Sequence, residues 1–481
     1  MAVIDEDRWY RRALIGIAAV AFVLRAADAL RRPFHTDERI SLQWGALPVK
    51  EMLEVVRTLD VHPPLLFLAL HGLILVHAPL WVPRLLAAIL GTVSVVMLSA
   101  IVRIWADQRA ALVAGACATV MPVLVFYDTW VRMYVLSDAL VLAQFLILSW
   151  ILTSPEGQRP RRLWLWAAWA LATVLAGYTL YLSWFATLAQ GLYVLCFRRD
   201  RLAGLAVALG CSLLAWTPQM PALLHQLGMG GQTFQSYRGH ELGGVLLLSG
   251  QATIAPELEG FLATAGAAVA WIWIAIGLCA VLVAARKTLL PWLGAPALIT
   301  FAYGLATHKL IYLDRYYIFF AYALAAWTGC LVTLAVARRW QLALAMTSVL
   351  IVGLLALGTA YALDPAFYTA DWPAVAAALA RSEQPGDLVL AEQGMPYWTM
   401  PDDQNILSHE HLFIFYPDQI PKALRAASRH KRVWVIAYEP RGIDPDLVLL
   451  SDLGRSFHLV SAQPFNRYLP AEDVVVLLFA R

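Results

Sequence analysis

Two acids stand side by side, Asp37 and Glu38, in the stretch RRPFHTDERI, a few residues past the first long apolar run. Asp60 and His62 follow in LDVHPPLLF, directly before Pro63 and Pro64. A carboxylate or imidazole serves as a general base when it is held within hydrogen-bond reach of the proton it removes. Paired prolines stop one helix and start the next with a fixed turn, which is one way of holding it. Further on, YDTWVRMYVLSD sets Arg132 and Tyr134 at the start of another apolar run, with Asp138 ~9 Å deeper by helical rise. ATHKLIYLDRYYIFF gathers His308, Lys309 and Arg315 among Tyr312, Tyr316 and Tyr317. Such cations suit a phosphate in charge, and arginine also in geometry. Plainer readings stand beside these: hydrated loop acids, a snorkelling arginine with an interfacial tyrosine, and cationic anchoring. An acid inside a span, such as Asp138, faces an interior partner or a wet cavity. Arg25 and Asp28, three residues apart, read as a structural ion pair.

The elements that must position these groups are membrane helices. The 481 residues are 60% hydrophobic and only 14% charged, with a mean hydropathy of +0.64, outside the range of soluble domains. The 19 tryptophans suit a chain with many bilayer interfaces. Apolar runs at 11–30, 83–103, 110–126, 132–152, 163–178, 182–198, 202–224, 262–285, 289–306, 315–336 and 340–361 give about eleven spans. Basic clusters at Arg8/Arg11/Arg12, Arg103/Arg109, Arg159/Arg161/Arg162, Arg198/Arg199/Arg201, Arg286/Lys287 and Arg338/Arg339 set the inner side by the positive-inside bias. The stretch 62–79 has only about 14 residues between prolines and carries His71 and His77, so it reads as interfacial or re-entrant. Residues 31–82 then form one large external loop. The five cysteines fall inside apolar runs with no metal-type spacing and read as small core residues.

From 362 onward the pattern changes. DWPAVAAALARSEQPGDLVLAEQG reads as an amphipathic helix, a Pro-Gly-Asp turn and a buried strand, and helix–strand patterns recur to the end. This predicts two domains, a transmembrane domain over 1–361 and a small external α/β domain over 362–481. The Gly-rich connection 225–261, with His225, His240 and Glu241, reads as a lid or acceptor loop. Its side chains could bind a divalent ion, but no spacing is diagnostic of a metal, and no cofactor is specified.

TDE after the first span, DVHPPL in the same loop, VRMY at the next outer connection and DRYYIFF near a late span together resemble the C-type glycosyltransferase superfamily. The nearest likeness is to its bacterial members related to protein O-mannosyltransferases and the aminoarabinose lipid A transferase. The resemblance implies an inverting enzyme of the bacterial inner membrane, and the basic clusters put its N-terminus in the cytoplasm and its C-terminal domain in the periplasm. It implies a polyprenyl-phosphate-linked sugar as donor, a hydroxyl acceptor (glycan, lipid or protein) and no nucleic-acid partner. Asp37 falls at the family's catalytic base, with Glu38 as its neighbour. Asp60 and His62 match the second motif, near donor phosphate or acceptor. Arg132, Tyr134, Arg315 and Tyr316 match cavity-lining positions, and His308 and Lys309 join Arg315 as cations for the phosphate. A lipid or sugar transporter is the competing reading, and a non-catalytic scaffold a third.

Overall fold

The computed structural model describes residues 2–32, 34–58, 60–155, 159–229, 260–307, 315, 318–363, 372–392, 410–414, 417–438, 444, 446–465 and 474–481. The chain divides into two compact units, one of residues 1–30 and 44–363, the other of 31–43 and 364–481.

The first unit is helical. In chain order the N-terminal helices are α1 (Ala2–Arg31), α2 (Thr36–Gly45), α3 (Val49–Thr58), α4 (Leu65–Leu75), α5 (Trp81–Trp105) and α6 (Gln108–Val120), α2 lying mostly in the other unit. They continue with α7 (Pro122–Tyr127), α8 (Met133–Thr153), α9 (Arg159–Gly177), α10 (Ser183–Phe197), α11 (Leu202–Trp216) and α12 (Met220–Met229). The last four are α13 (Gly260–Ala285), α14 (Ala295–Thr307), α15 (Ile318–Ala337) and α16 (Gln341–Leu363). Among the described residues, seven helices are long and apolar enough to cross a membrane; Leu65–Leu75, Arg162–Gly177 and Ser183–Phe197 are shorter apolar helices. At 11 residues, α4 is ~16 Å long, about half the hydrocarbon thickness. Its His71 ring is 2.8 Å from the Gly45 carbonyl.

The apolar run 110–126 forms a broken helix. Asp107 caps α6 by accepting from the amides of Arg109 (2.7 Å) and Ala110 (2.8 Å). Met121 is extended, and Pro122 starts α7 at a position where its missing N–H costs nothing. Irregular backbone at this depth is tolerated where protein surrounds it, and every residue from Thr119 to Val135 is buried. The helix over 318–337 is the central one, with 83% of its window buried against 17% for that over 341–360. Gly329 lets α15 approach α6, since a Cβ there would collide with the Ala110 carbonyl. Of the five cysteines, Cys117 and Cys330 are buried as expected, whereas Cys196, Cys211 and Cys279 lie on helix exteriors, where an apolar thiol suits a lipid-facing surface as well as a core.

The second unit contains α17 (Trp372–Ser382), β1 (Leu388–Glu392), β2 (Glu410–Ile414), α18 (Ile420–Ala427), β3 (Arg432–Tyr438), α19 (Val448–Ser456), β4 (His458–Pro464) and β5 (Val474–Ala480). The sheet order is β2-β1-β3-β5-β4, with β1 parallel to β2 and β3, and β5 antiparallel to β3 and β4. Alternation along β1 and β3 sends Leu388, Leu390, Val433 and Val435 to one face, packed on Ile420 of α18 and Leu449 and Leu453 of α19. It sends Val389, Trp434 and Ile436 to the other, packed with Val375 and Leu379 of α17. Gly386, with φ +91°, makes the turn into β1, the Pro-Gly-Asp turn read from the sequence. Asp387 then accepts the Trp434 indole N–H at 2.8 Å and pairs with Arg432 at 3.3 Å, fixing β3 beside β1.

Candidate functional site

Asp37 and Glu38 lie in the first turn of α2, within the segment 31–43 of the second unit. Glu38 is fully buried. Its carboxylate accepts the backbone N–H of His35 at 2.9 Å, while the His35 Nδ1 accepts the backbone N–H of Asp37 at 3.0 Å. This is a capping box with histidine in place of serine or threonine, and it satisfies two amides that the helix start leaves over. Ser41 donates to the Asp37 carbonyl at 3.0 Å. The TDE sequence thus builds its own helix start, and the positive end of the helix dipole favours anions there. Glu38 thus caps its own helix, a use that neither the chemical reading nor that of a hydrated loop acid foresees. The clue was H-x-x-E, a capping pattern with an unusual first residue.

Asp60, His62 and Arg132 come together in the first unit. Asp60 Oδ1 accepts the backbone amides of Val61 (2.6 Å) and His62 (2.9 Å) and lies 2.5 Å from the His62 Nδ1. All three side chains are buried. Burial by itself would raise the Asp60 carboxyl above the ordinary carboxylate range. The His62 ring, the Arg132 charge and the Val61 amide outweigh it, and the group is held below that range. An ionised Asp60 on Nδ1 fixes the orientation of the ring, as a carboxylate does for other catalytic or binding histidines. The two prolines hold this turn: Leu65 N–H donates to the Tyr178 carbonyl at 3.0 Å, anchoring the start of α4 to the α9–α10 connection.

That connection holds residues that sequence reading did not single out. The Tyr181 hydroxyl donates to Gln226 Oε1 at 2.7 Å and accepts from Gln219 Nε2 at 2.8 Å, and Gln226 Nε2 donates to the Val56 carbonyl at 2.9 Å. Burial, and to a smaller degree the Asp60 charge, push the Tyr181 hydroxyl up to about 12 against the Gln219 hydrogen bond, so it stays neutral and acts as a tether. Nothing in a single sequence pairs a tyrosine with glutamines 38 and 45 positions away.

The Arg25–Asp28 pair read from helical spacing is not formed. Arg25 pairs instead with Asp128, 2.8 Å away and fully buried, and Tyr322 donates to the same carboxylate at 3.2 and 3.3 Å. Asp28 accepts the Thr129 hydroxyl. Both partners follow the break at Pro122, where the chain offers a carboxylate and a hydroxyl that helical periodicity does not foresee. Gly91 makes room for Asp128, since a Cβ would stand 2.6 Å from its side chain.

Tyr134, Asp138 and Arg315 line one cavity of about 40 Å³. His308, Lys309, Tyr316, His240 and Glu241 lie outside the described residues. Among the described residues no three His, Cys, Asp or Glu side chains are grouped so as to hold a metal ion.

No protein-family model and no curated protein matches this sequence. Solved structures match its fold. ArnT from Cupriavidus metallidurans bound to undecaprenyl phosphate matches with a TM-score of 0.52 over 98% of each chain, at 16% identity. Its apo state gives 0.51 with the same coverage. The archaeal oligosaccharyltransferase AglB from Archaeoglobus fulgidus, in complex with an inhibitory peptide and a dolichol-phosphate, gives 0.52 at 12% identity, over 90% of this chain and 70% of that one. The chain therefore has the fold seen in ArnT and AglB.

Proposed function

We propose that this protein is an inverting glycosyltransferase that moves a sugar from a polyprenyl-phosphate carrier to a hydroxyl acceptor at the outer face of the bacterial inner membrane. The observation that carries the reading is the fold match over 98% of both chains to a structure that holds undecaprenyl phosphate. A lipid-borne donor needs a site at the bilayer edge and no nucleotide-binding fold. In this reading about eleven spans place the N-terminus inside, and residues 1–361 and 362–481 act as the membrane and periplasmic domains.

Asp37 takes the acceptor proton as the anomeric carbon gains oxocarbenium character. A carboxylate is a weak base, so it assists late in bond formation without prior deprotonation of the alcohol. The carrier phosphate departs, its charge met by cations drawn from Arg132, His308, Lys309, Arg315 and the His62 held by Asp60. Tyr134 lines the cavity, and Tyr316 is carried over from the family resemblance as a second lining residue. A transporter would use intramembrane charges as a pathway. The locking of Arg25 to Asp128, with Tyr322 on the same carboxylate, favours a structural use instead.

Purified protein incubated with undecaprenyl-phosphate sugars and an alcohol acceptor is expected to release free carrier. Asp37→Asn should lower that rate by ~10²–10⁴, the range of general-base catalysis, with carrier binding and thermal stability retained. Carrier release undiminished in Asp37→Asn would remove the assigned base.

A further inference from the structure

The first unit holds a small cavity whose mostly apolar lining carries a cluster of polar side chains. Asp138, Ser137 and Tyr134 reach it from α8, Ser183 from the start of α10, Thr300 from α14, and Arg315 from the segment before α15. Asp138 is only 7% exposed, and its Oδ2 has no hydrogen-bond partner among the described residues. A buried carboxylate oxygen without a donor is costly, and in a functional cleft it marks a place where a ligand supplies the donor. The Thr300 hydroxyl already donates to the Pro296 carbonyl at 2.9 Å, so its lone pairs face the cavity as acceptors. The space of about 40 Å³ holds roughly three waters by the measure of ~10–15 Å³ each. That suits a group of two heavy atoms and is far too small for a sugar ring.

We infer that this cavity is a specificity pocket for the exocyclic hydroxymethyl group of a hexose, with Asp138 accepting a hydrogen bond from its hydroxyl. The inference rests on the transferase reading and deepens it by naming the sugar class. A hydroxymethyl group supplies one donor and one acceptor. Asp138 takes the donor, and the Arg315 guanidinium or the Ser137 and Ser183 hydroxyls serve the acceptor. Tyr134 borders the cavity two residues from Arg132, so a sugar whose phosphate meets Arg132 can turn its side arm toward Asp138. A pentose lacks that arm and leaves the buried carboxylate unmet. Sites built to bond a hydroxyl reject analogues without it far more strongly than apolar pockets reject a missing methylene.

The test compares undecaprenyl-phosphate-linked hexoses with the matching pentoses, glucose against xylose, as donors for the wild type, Asp138→Asn, Asp138→Ala and Ser183→Ala. The wild type is expected to prefer the hexose by ~10² or more in kcat/KM. Asp138→Ala should cut that ratio at least tenfold, and Ser183→Ala less. Asp138→Asn keeps the shape, so it reads the same ratio where Asp138→Ala fails to fold. A wild type that turns over both donors without preference, or a ratio unchanged in the Asp138 variants, overturns the pocket and leaves the transferase reading standing. Turnover of neither donor overturns the transferase reading; equilibrium binding of the two donors then measures the same ratio for the pocket.

Discussion

Asp60 shows how one carboxylate can organise a turn and charge it together. It takes two backbone amides and the His62 ring while buried beside Arg132. Folding lowers its proton affinity, so the native state binds fewer protons than the unfolded chain between the two values. Stability therefore falls as the pH drops through that window, below the ordinary carboxylate value of ~4. The gap in thermal midpoint between wild type and Asp60→Asn is expected to stay constant from pH 8 to about 5 and to close below about 4. A gap that widens on acidification would contradict the ionised assignment. Glu38 poses a different problem, because a capping role and a chemical one predict different variants. Glu38→Ala should cost about 1 kcal/mol more stability than Glu38→Gln, which keeps an oxygen for the His35 amide. Chemical denaturation of the two proteins measures this directly.

The helices explain why some of these residues could be read in the sequence and others could not. Asp60 and His62 were visible because the prolines beside them announce a rigid turn, and the turn holds. The α17 and β1 elements were visible for a similar reason: apolar periodicity changes from 3.6 to 2 across a Pro-Gly-Asp turn. Arg25 was assigned to the wrong acid because helical spacing favours the neighbour on the same helix, while the true partner sits 103 positions away after a broken helix. β2 escaped detection because Glu410–Ile414 is short and mixed in polarity. The Arg25–Asp128 pair also yields a test at this scale. Removing one member strands a charge inside the bundle, so Asp128→Leu should cost about 3–5 kcal/mol. Replacing both with apolar residues should recover much of that, as read by thermal denaturation in detergent. Gly329→Ala, which puts a methyl against the Ala110 carbonyl, should lose about 1–3 kcal/mol by overpacking.

For the molecule as a whole, the fold class was legible because composition and apolar run length leave little choice but a membrane bundle with a small α/β unit. Orientation is a matter of arginine placement, and labelling tests it. In a background without the five native cysteines, a membrane-impermeant maleimide should label Lys50→Cys in intact cells. Arg109→Cys and Arg286→Cys should react only after permeabilisation. The opposite pattern would overturn the eleven-span arrangement.

The residues 31–43 cluster with 364–481 although some 320 residues of the other unit are synthesised between them. Residues 31–43 therefore cannot reach their final surroundings until 364–481 have been synthesised, and contacts so distant in sequence form slowly. The helix start bearing Asp37 thus waits on a segment more than 300 residues downstream. A chain interrupted before residue 364 would insert its early helices yet leave that carboxylate without the rest of its unit.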